Sequence, residues 1–382
     1  DVYGGGSYKN APEGRPFFYV KNYYTTHESR IWLRKDKPMT VAPSAVAVPD
    51  YYADIPIVRE GIARKYSNIE ALDKEVGVLL DQLEADGVME NSVIFFWSDH
   101  GGNLLRQKRA VGDSGLHVPL IIRYPNGYRA GETESRMVSL MDLGPTVLSL
   151  TGQKPPKHMD GKAFAGPFEE APRDYIFGSA DRFDESTDMQ RSVLDGRYVY
   201  IKNFMPELPL IYRNRYREQI PMNKHLIELD AEGKLEGDAA YIFMKTKPQE
   251  ELYDLKNDPY EVHNLANDPA HAEKLKEMST QLSQWQSAIQ DRGFTPESEI
   301  IREFWPGMIQ PVTADVKIQQ QNNTIVLSCA TEGASIGYQL SDAIGSDYWQ
   351  LYTKPLMLQP QEKISTRAIR IGYKASNIIT TK

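Results

Sequence analysis

The chain has 382 residues, too many for one ordinary core, and that length implies two or three domains. Its composition, 41% hydrophobic and 25% charged, belongs to a globular fold, and no apolar run approaches the ~20 residues of a membrane span. Forty-four basic against fifty-two acidic residues give a net charge of -8, which argues against a nucleic-acid footprint and leaves any anionic ligand dependent on a local basic pocket.

Residues 17–20, the apolar run after Pro16, predict a buried strand that would leave His27 just past its end. From residue 66 to 83 the apolar positions Ile69, Leu72, Val76, Leu79, Leu80 and Leu83 share one helical face, and Asp86-Gly87 closes the helix. Residues 93–97 and 118–124 are apolar on both faces, the pattern of central parallel strands. This order predicts an α/β domain over residues 1–165, part of a doubly wound sheet. A further helix opens at Asp142, carries Pro145 in its first turn and stops at Gly152.

Beyond residue 165 the pattern changes. "RSVLDGRYVYIKN" places two β-rich runs around Asp195-Gly196, a hairpin signal, and residues 271–292 space Leu275, Met278, Leu282, Trp285 and Ile289 as one helical face. Residues 166–304 therefore read as an antiparallel-sheet-plus-helix subdomain. "WPGMIQPV" at 305–312 reads as a linker. The short alternating runs after it, such as Ile336, Tyr338 and Leu340, predict a small β-sandwich over 312–382.

The chemistry concentrates in "FFWSDHGGNLLRQKRAVGDSGLHVPLIIRYP", residues 95–125. Ligands of open α/β sheets bind beyond the carboxyl ends of strands, where Asp99, His100 and His27 are expected. An Asp followed by a His can put two ligands on one cation, and Gly101 and Gly102 let the backbone turn. Lys108 brings a positive charge to an anion held there. A metal, a lysine and a histidine around one oxyanion would stabilise a transferring phosphoryl or sulfuryl group. Each residue also has a plainer role: a turn with a capping Asp and a surface His, a structural His27, a solvated Lys108 in "QKR". Cys329 is the only cysteine, which leaves no internal disulfide and no thiolate metal cluster.

"FFWSDHG", Lys108, "DSGLHVPLIIRYP", "VSLMDLGPTVLSLTG" and "ELYDLKNDPYEVHNLA", in this order, resemble the formylglycine-dependent sulfatases of the alkaline phosphatase superfamily, over about residues 10 to 300 and nearest the bacterial heparan N-sulfatase-like branch. The resemblance implies a sulfuric-ester hydrolase acting on a sulfated sugar, with Asp99 and His100 on calcium. His100 and Lys108 would contact sulfate, Lys108 would assist the leaving oxygen, and His27 would be a sulfate ligand and general acid. His117 and Glu28 flank these positions as candidates for sugar hydroxyls. Asp181 and Arg182, in the charged stretch 177–192, border the substrate cleft of similar sulfatases or form a solvated loop. A periplasmic or extracellular location comes with the same resemblance.

The family's nucleophile is the Cys or Ser of C/S-x-P-S-R, converted to formylglycine. The sequence contains no such motif, so no residue of this chain is assigned as nucleophile. The amino-terminal Asp pair of the metal site is also missing. The expectation is a carboxyl-terminal portion of a longer enzyme, unable alone to turn over an aryl sulfate with calcium. Two rivals stand beside it: a metal-dependent phosphodiesterase or phosphatase of the same superfamily, and a non-catalytic glycan-binding homologue. The terminal segment resembles the immunoglobulin-like domains of some glycan-degrading enzymes, with Tyr348, Trp349 and Tyr352 as sugar-stacking or core aromatics.

Overall fold

The computed structural model describes residues 6–11 and 14–381. The chain divides into two compact units, Asp1–Asp291 and Arg292–Lys382. The second unit therefore takes in the "WPGMIQPV" stretch, and the first unites the two regions on either side of residue 165.

In the first unit, a short helix α1 (Ser29–Leu33) precedes a long helix α2 (Pro56–Ala85). Pro56 sits in the first turn, where its missing N–H costs nothing, so the helix starts well before the apolar stripe suggests. Its amino-terminal half is the buried half. Val58, Ile62 and Ala63 join a core with Leu104, Leu105 and Ile220. Gly61 is required by close approach, since a Cβ there would lie 2.4 Å from Met222 Sδ on helix α5 (Pro221–Ala231).

Strands β1 (Ile94–Trp97) and β2 (Leu120–Arg123) form the first sheet, with Trp97 opposite Leu120. They run antiparallel, which corrects the expected parallel arrangement. A parallel pair needs a crossover laid over the sheet, usually by a helix. Here the intervening residues hold only α3 (Asp113–Leu116) and fold back at one end of the strands. Residues 17–20 are not a strand, and Phe18 is 70% exposed. Mixed helices and sheets keep the chain in the α/β class, but its first sheet has only two strands among the described residues.

Helix α4 (Leu143–Leu150) leads to a second sheet in the order β3-β4-β5-β6: β3 (Ile176–Phe183), β4 (Ser186–Leu194), β5 (Tyr198–Asn203) and β6 (Glu250–Asp254). It is antiparallel throughout, and the Asp195-Gly196 hairpin lies where the sequence predicts it. Asp195 Oδ1 accepts from the N–H groups of Arg197 and Tyr198, while Gly196 takes a φ of 92°. The short helix α6 (Gly237–Tyr241) precedes β6, and α7 (Ala272–Ala288) closes one face of the sheet, its Met278 and Leu282 fully buried with Val193, Tyr200 and Leu252.

The second unit opens with α8 (Glu297–Phe304) and folds as two small sheets. One has the order β10-β9-β12-β13 and the other β11-β8-β7. The strands are β7 (Val316–Gln321), β8 (Thr324–Cys329), β9 (Ser335–Leu340), β10 (Gln350–Leu351), β11 (Leu356–Met357), β12 (Ile364–Ile369) and β13 (Ile379–Thr380). Val316, Ile325, Leu327, Ile336 and Ile364 form its core. Tyr352 packs against that core, Trp349 covers Gly337, and Tyr348 is exposed. Cys329 is half-buried in β8 with its thiol donating to Ala314 O.

Candidate active site

The loop after β1 is built by close packing. The N–H of Gly101 donates to Gly115 O at 2.8 Å, and a Cβ at Gly101 would fall 2.0 Å from Ser114 O. A Cβ at Gly102 would meet Gln107 Oε1 at 2.0 Å and Lys65 Nζ at 2.6 Å. Neither glycine has a positive φ, so both are needed for room rather than for a special backbone conformation. Lys108 N–H donates to Gly102 O at 2.7 Å, which folds the lysine back beside the strand tip. Leu104 and Leu105 anchor the loop in the core of the first unit.

Two residues of this loop, Arg106 (φ 62°) and Arg109 (φ 75°), adopt the left-handed conformation that side chains disfavour. Both are tied down. Arg106 donates to the carbonyls of Tyr260 and Glu261. Arg109 donates to both oxygens of Glu28 at 3.0 and 3.1 Å and to Asp184 at 2.9 Å.

Glu28 is the hub. It is 1% exposed and also holds Lys108 Nζ at 3.1 Å. Burial pushes its carboxyl upward, but the hydrogen bonds and charges of Arg109 and Lys108 outweigh burial and leave it below the usual carboxylate range. Glu28 is thus enclosed by two cations and does not face a sugar, which corrects the expectation from sequence. Asp184, on the two-residue turn between β3 and β4, is joined to the site by Arg109 and accepts from Asn214 Nδ2 at 2.7 Å. Behind Lys108 and Arg109 lies a cavity of about 60 Å³, with Arg217, Glu251 and Glu261 on its wall, room for a water or two.

His27 precedes Glu28, so one dipeptide positions an imidazole and the carboxylate that holds the lysine. The N–H of Ser29 donates to His27 Nδ1 at 3.3 Å and the Ser29 hydroxyl lies 2.9 Å away, which leaves the imidazole proton on Nε2. Burial, then the charge of Lys108, lowers the His27 pKa, with Glu28 opposing and His100 adding to the depression. His27, Lys108 and His100 therefore share one neighbourhood. In His100, Nδ1 lies 2.7 Å from Gly101 O, an acceptor only, so Nδ1 carries the proton and Nε2 keeps its lone pair. That lone pair lies 3.7 Å from Asp99 Oδ1.

The Asp99 side chain is 85% exposed, a carboxylate offered to solvent. It and His100 give two metal donors. No group of three or more His, Cys, Asp or Glu side chains able to hold a metal occurs among the described residues. A calcium ion takes roughly six to eight oxygen ligands, so these two residues alone do not make its site.

The other expected residues lie outside this cluster. His117 is exposed and paired with Asp113 at 3.2 Å, and that hydrogen bond raises its pKa. Asp181 faces Arg191 at 2.8 Å, and Arg191 is held from its other side by Asp291. Arg182 lies on the exposed end of β3. The charged stretch 177–192 does reach the site, but through Asp184. Sequence reasoning singles out Asp184 within the charged stretch 177–192 but misses Arg109, Asn214, Tyr216 and Arg217. Arg109 adjoins a flagged position, whereas the other three belong to "YRNRYR", residues 212–217, whose only signal is its mixture of arginine and tyrosine.

Comparison with known proteins finds similarity to sulfatases. The sulfatase family model matches residues 7–153. The chain is 41% identical over 370 residues to an ulvan-active sulfatase of Formosa agariphila, covering 96% of this chain and 62% of that protein. It is 26% identical over 290 residues to N-sulphoglucosamine sulphohydrolase of Homo sapiens, covering 72% and 57%. A solved 2-O GAG sulfatase superposes with a TM-score of 0.47 at 19% identity, over 75% of this chain and 56% of that one. The chain spans 62% and 57% of the lengths of these two curated relatives.

Proposed function

We propose that this chain, which carries a sulfatase-family domain over residues 7–153, forms the sulfate-holding side of a sulfuric-ester hydrolase acting on sulfated carbohydrate. One observation carries the proposal: buried Glu28 fixes the ammonium of Lys108 at 3.1 Å, next to the imidazole of His27. Lys108 and Arg109 share the Glu28 carboxylate, Arg109 is also met by exposed Asp184, and the Lys108 ammonium keeps N–H donors for a further anion. An oxyanion is the complement of such a cradle. The 41% identity to an ulvan-active sulfatase supports a sulfated polysaccharide as the substrate class. A periplasmic or extracellular location accompanies a substrate of that size.

In this proposal the His27 Nε2–H donates to a sulfate oxygen and orients the group. The Lys108 ammonium balances charge on the sulfuryl oxygens and gives a proton to the leaving sugar oxygen as its bond to sulfur breaks. Asp99 and His100 would give two donors to a divalent cation, calcium in the family pattern, with further ligands joining them. The attacking oxygen would come from a formylglycine, which corresponds to no residue of this sequence. Sulfate binding without turnover is the consequence for this chain alone.

The test has two arms. Titration of the chain with aryl sulfate and aryl phosphate should perturb the His27 and His100 ring resonances, more strongly for sulfate, with no product formed in the presence of calcium. A chimera that adds the part of the ulvan-active sulfatase not spanned by this chain should release sulfate. Turnover of aryl sulfate by the chain itself would place the nucleophile within it. Preference for phosphate in both arms would favour the phosphodiesterase alternative, and a chimera that binds without turnover would favour the glycan-binding one.

A further inference from the structure

Residues 212–217, "YRNRYR", run alongside the candidate site, and their backbone is fixed by a set of hydrogen bonds. Asn214 is buried, donates through Nδ2 to Asp184, and accepts from the N–H of Arg217 at 2.9 Å. The N–H of Arg215 donates to Glu185 Oε1 at 3.1 Å. Two of the three arginines are committed: Arg213 to Glu218 at 2.6 and 2.9 Å, and buried Arg217 to Tyr212 O at 2.8 Å. Arg215 is exposed, and among the described residues no carboxylate lies within ion-pair distance of its guanidinium.

Tyr216, beside Arg215, is also exposed, at 41%. Its ring lies 6.2 Å from the His27 imidazole and 5.1 Å from the Trp32 indole, which meets it nearly edge-on at 81°. Trp32 belongs to α1, which begins just after His27, so one short stretch supplies both the imidazole and the support for the tyrosine. The result is an aromatic ledge, open to solvent, against the residue that holds sulfate in the proposed function. Rings of this kind offer a flat apolar face with a polar edge, matched to the C–H face of a pyranose.

We infer that Tyr216 and Arg215 form a sugar subsite, in which the pyranose bearing the sulfate stacks on Tyr216 and a second anionic group, a uronate carboxylate or another sulfate, meets Arg215. The inference rests on the sulfate-binding role proposed for His27 and Lys108, and it narrows the substrate class to a glycan with more than one negative charge. An isolated sulfate ester on a neutral aglycone would not use Arg215. The guanidinium fork suits a planar carboxylate or a sulfate equally.

Calorimetric titration of the chain with three probes tests it: inorganic sulfate, a sulfated methyl pyranoside, and a sulfated disaccharide bearing a uronate. Tyr216→Ala should weaken both sugars about tenfold, the scale of one ring contact, while inorganic sulfate stays within about twofold. Tyr216→Phe should restore the sugars. Arg215→Ala should weaken only the disaccharide and reduce its dependence on salt. Lys108→Ala should weaken all three probes. Sugars that bind Tyr216→Ala as they bind the unaltered chain would overturn the subsite and leave the sulfate cradle standing. Failure of the unaltered chain to bind any probe would overturn both.

Discussion

Two buried carboxylates flank the Lys108 loop, and they are opposites. Glu28 lies on the side of His27, in contact with Lys108 and Arg109, and its carboxyl is held below the usual range. Glu261, also buried, lies on the far side, where its carboxylate accepts from the N–H of Asp113 at 2.9 Å. Arg106 is close to it, but the Arg106 guanidinium donates to the carbonyls of Tyr260 and Glu261 instead. Burial therefore dominates at Glu261 and pushes its pKa up to about 7, with Arg106 and the Asp113 N–H opposing, and Asp113 and Glu251 adding to the rise. Between these two carboxylates the contacts differ in kind: Glu28 touches two cations, whereas the Glu261 carboxylate is met by a backbone N–H. The loop is gripped by charge on the side of His27 and by a group that can take up a proton on the other.

Removing the charged grip should have the largest effect. Glu28→Ala would leave Lys108 and Arg109 facing each other without their shared anion, and the loss of one partner from a buried pair costs about 3–5 kcal/mol. Urea unfolding should register that loss, and inorganic sulfate binding should fall with it because the Lys108 ammonium is no longer fixed. Glu28→Gln keeps the shape but not the charge, and should lie between the two. If Glu28→Ala unfolds at the same urea concentration as the unaltered chain, the carboxylate is not the hub its contacts describe.

The neutral grip predicts a pH effect of the opposite sign from that of Glu28. A carboxyl raised to about 7 in the folded chain binds its proton more tightly there than when unfolded, where it titrates near 4.5. The stability it contributes is therefore complete below about pH 4.5 and is lost as the pH rises through 7. Glu28, with its pKa lowered, does the reverse: its contribution is present above the unfolded value and is lost as the pH falls through the folded one. Glu261→Gln, which retains an acceptor for Asp113, should remove the decline between pH 4.5 and 7 in a series of thermal melts. A Glu261→Gln profile parallel to that of the unaltered chain would show that Glu261 titrates normally.

Much of this was legible in the sequence where a local pattern states the structure. The strand tip "FFWSDHGG", the Asp195-Gly196 hairpin and the face of α7 follow from periodicity and turn chemistry, which act over a few residues. The antiparallel pairing of β1 and β2 was not, because apolar runs carry no sign of strand direction. Nor was Glu28 legible as a hub: a lone glutamate after a histidine looks like any surface acid until Arg109, 81 residues away, is seen to hold it. The glycines show the same limit. Gly101 reads as a turn residue, yet the reason no side chain fits there is Ser114 O, a neighbour supplied by the return of the chain. Asp184 was within a flagged stretch, but three residues earlier Asp181, in similar surroundings, turns to Arg191 instead. A bulge between Ala180 and Arg182 interrupts the β3–β4 register at that point, and the sequence carries no sign of it.

The smallest effect should come from the outer end of the Glu28 chain of contacts. Asp184 binds the same arginine as Glu28, at 2.9 Å, but its side chain is 48% exposed, so water screens the pair and competes for the carboxylate. Asp184→Asn keeps one oxygen for Arg109 and for Asn214, and its cost in urea unfolding should stay within about 1 kcal/mol, the range of exposed pairs. Its effect on sulfate should be small and positive, since Arg109 then carries more uncompensated charge beside Lys108. Raising salt should erase that gain, because an exposed charge is felt only across a screened distance. A loss from Asp184→Asn as large as that from Glu28→Ala would mean that the solvent-facing contact, and not the buried one, sets the position of Arg109.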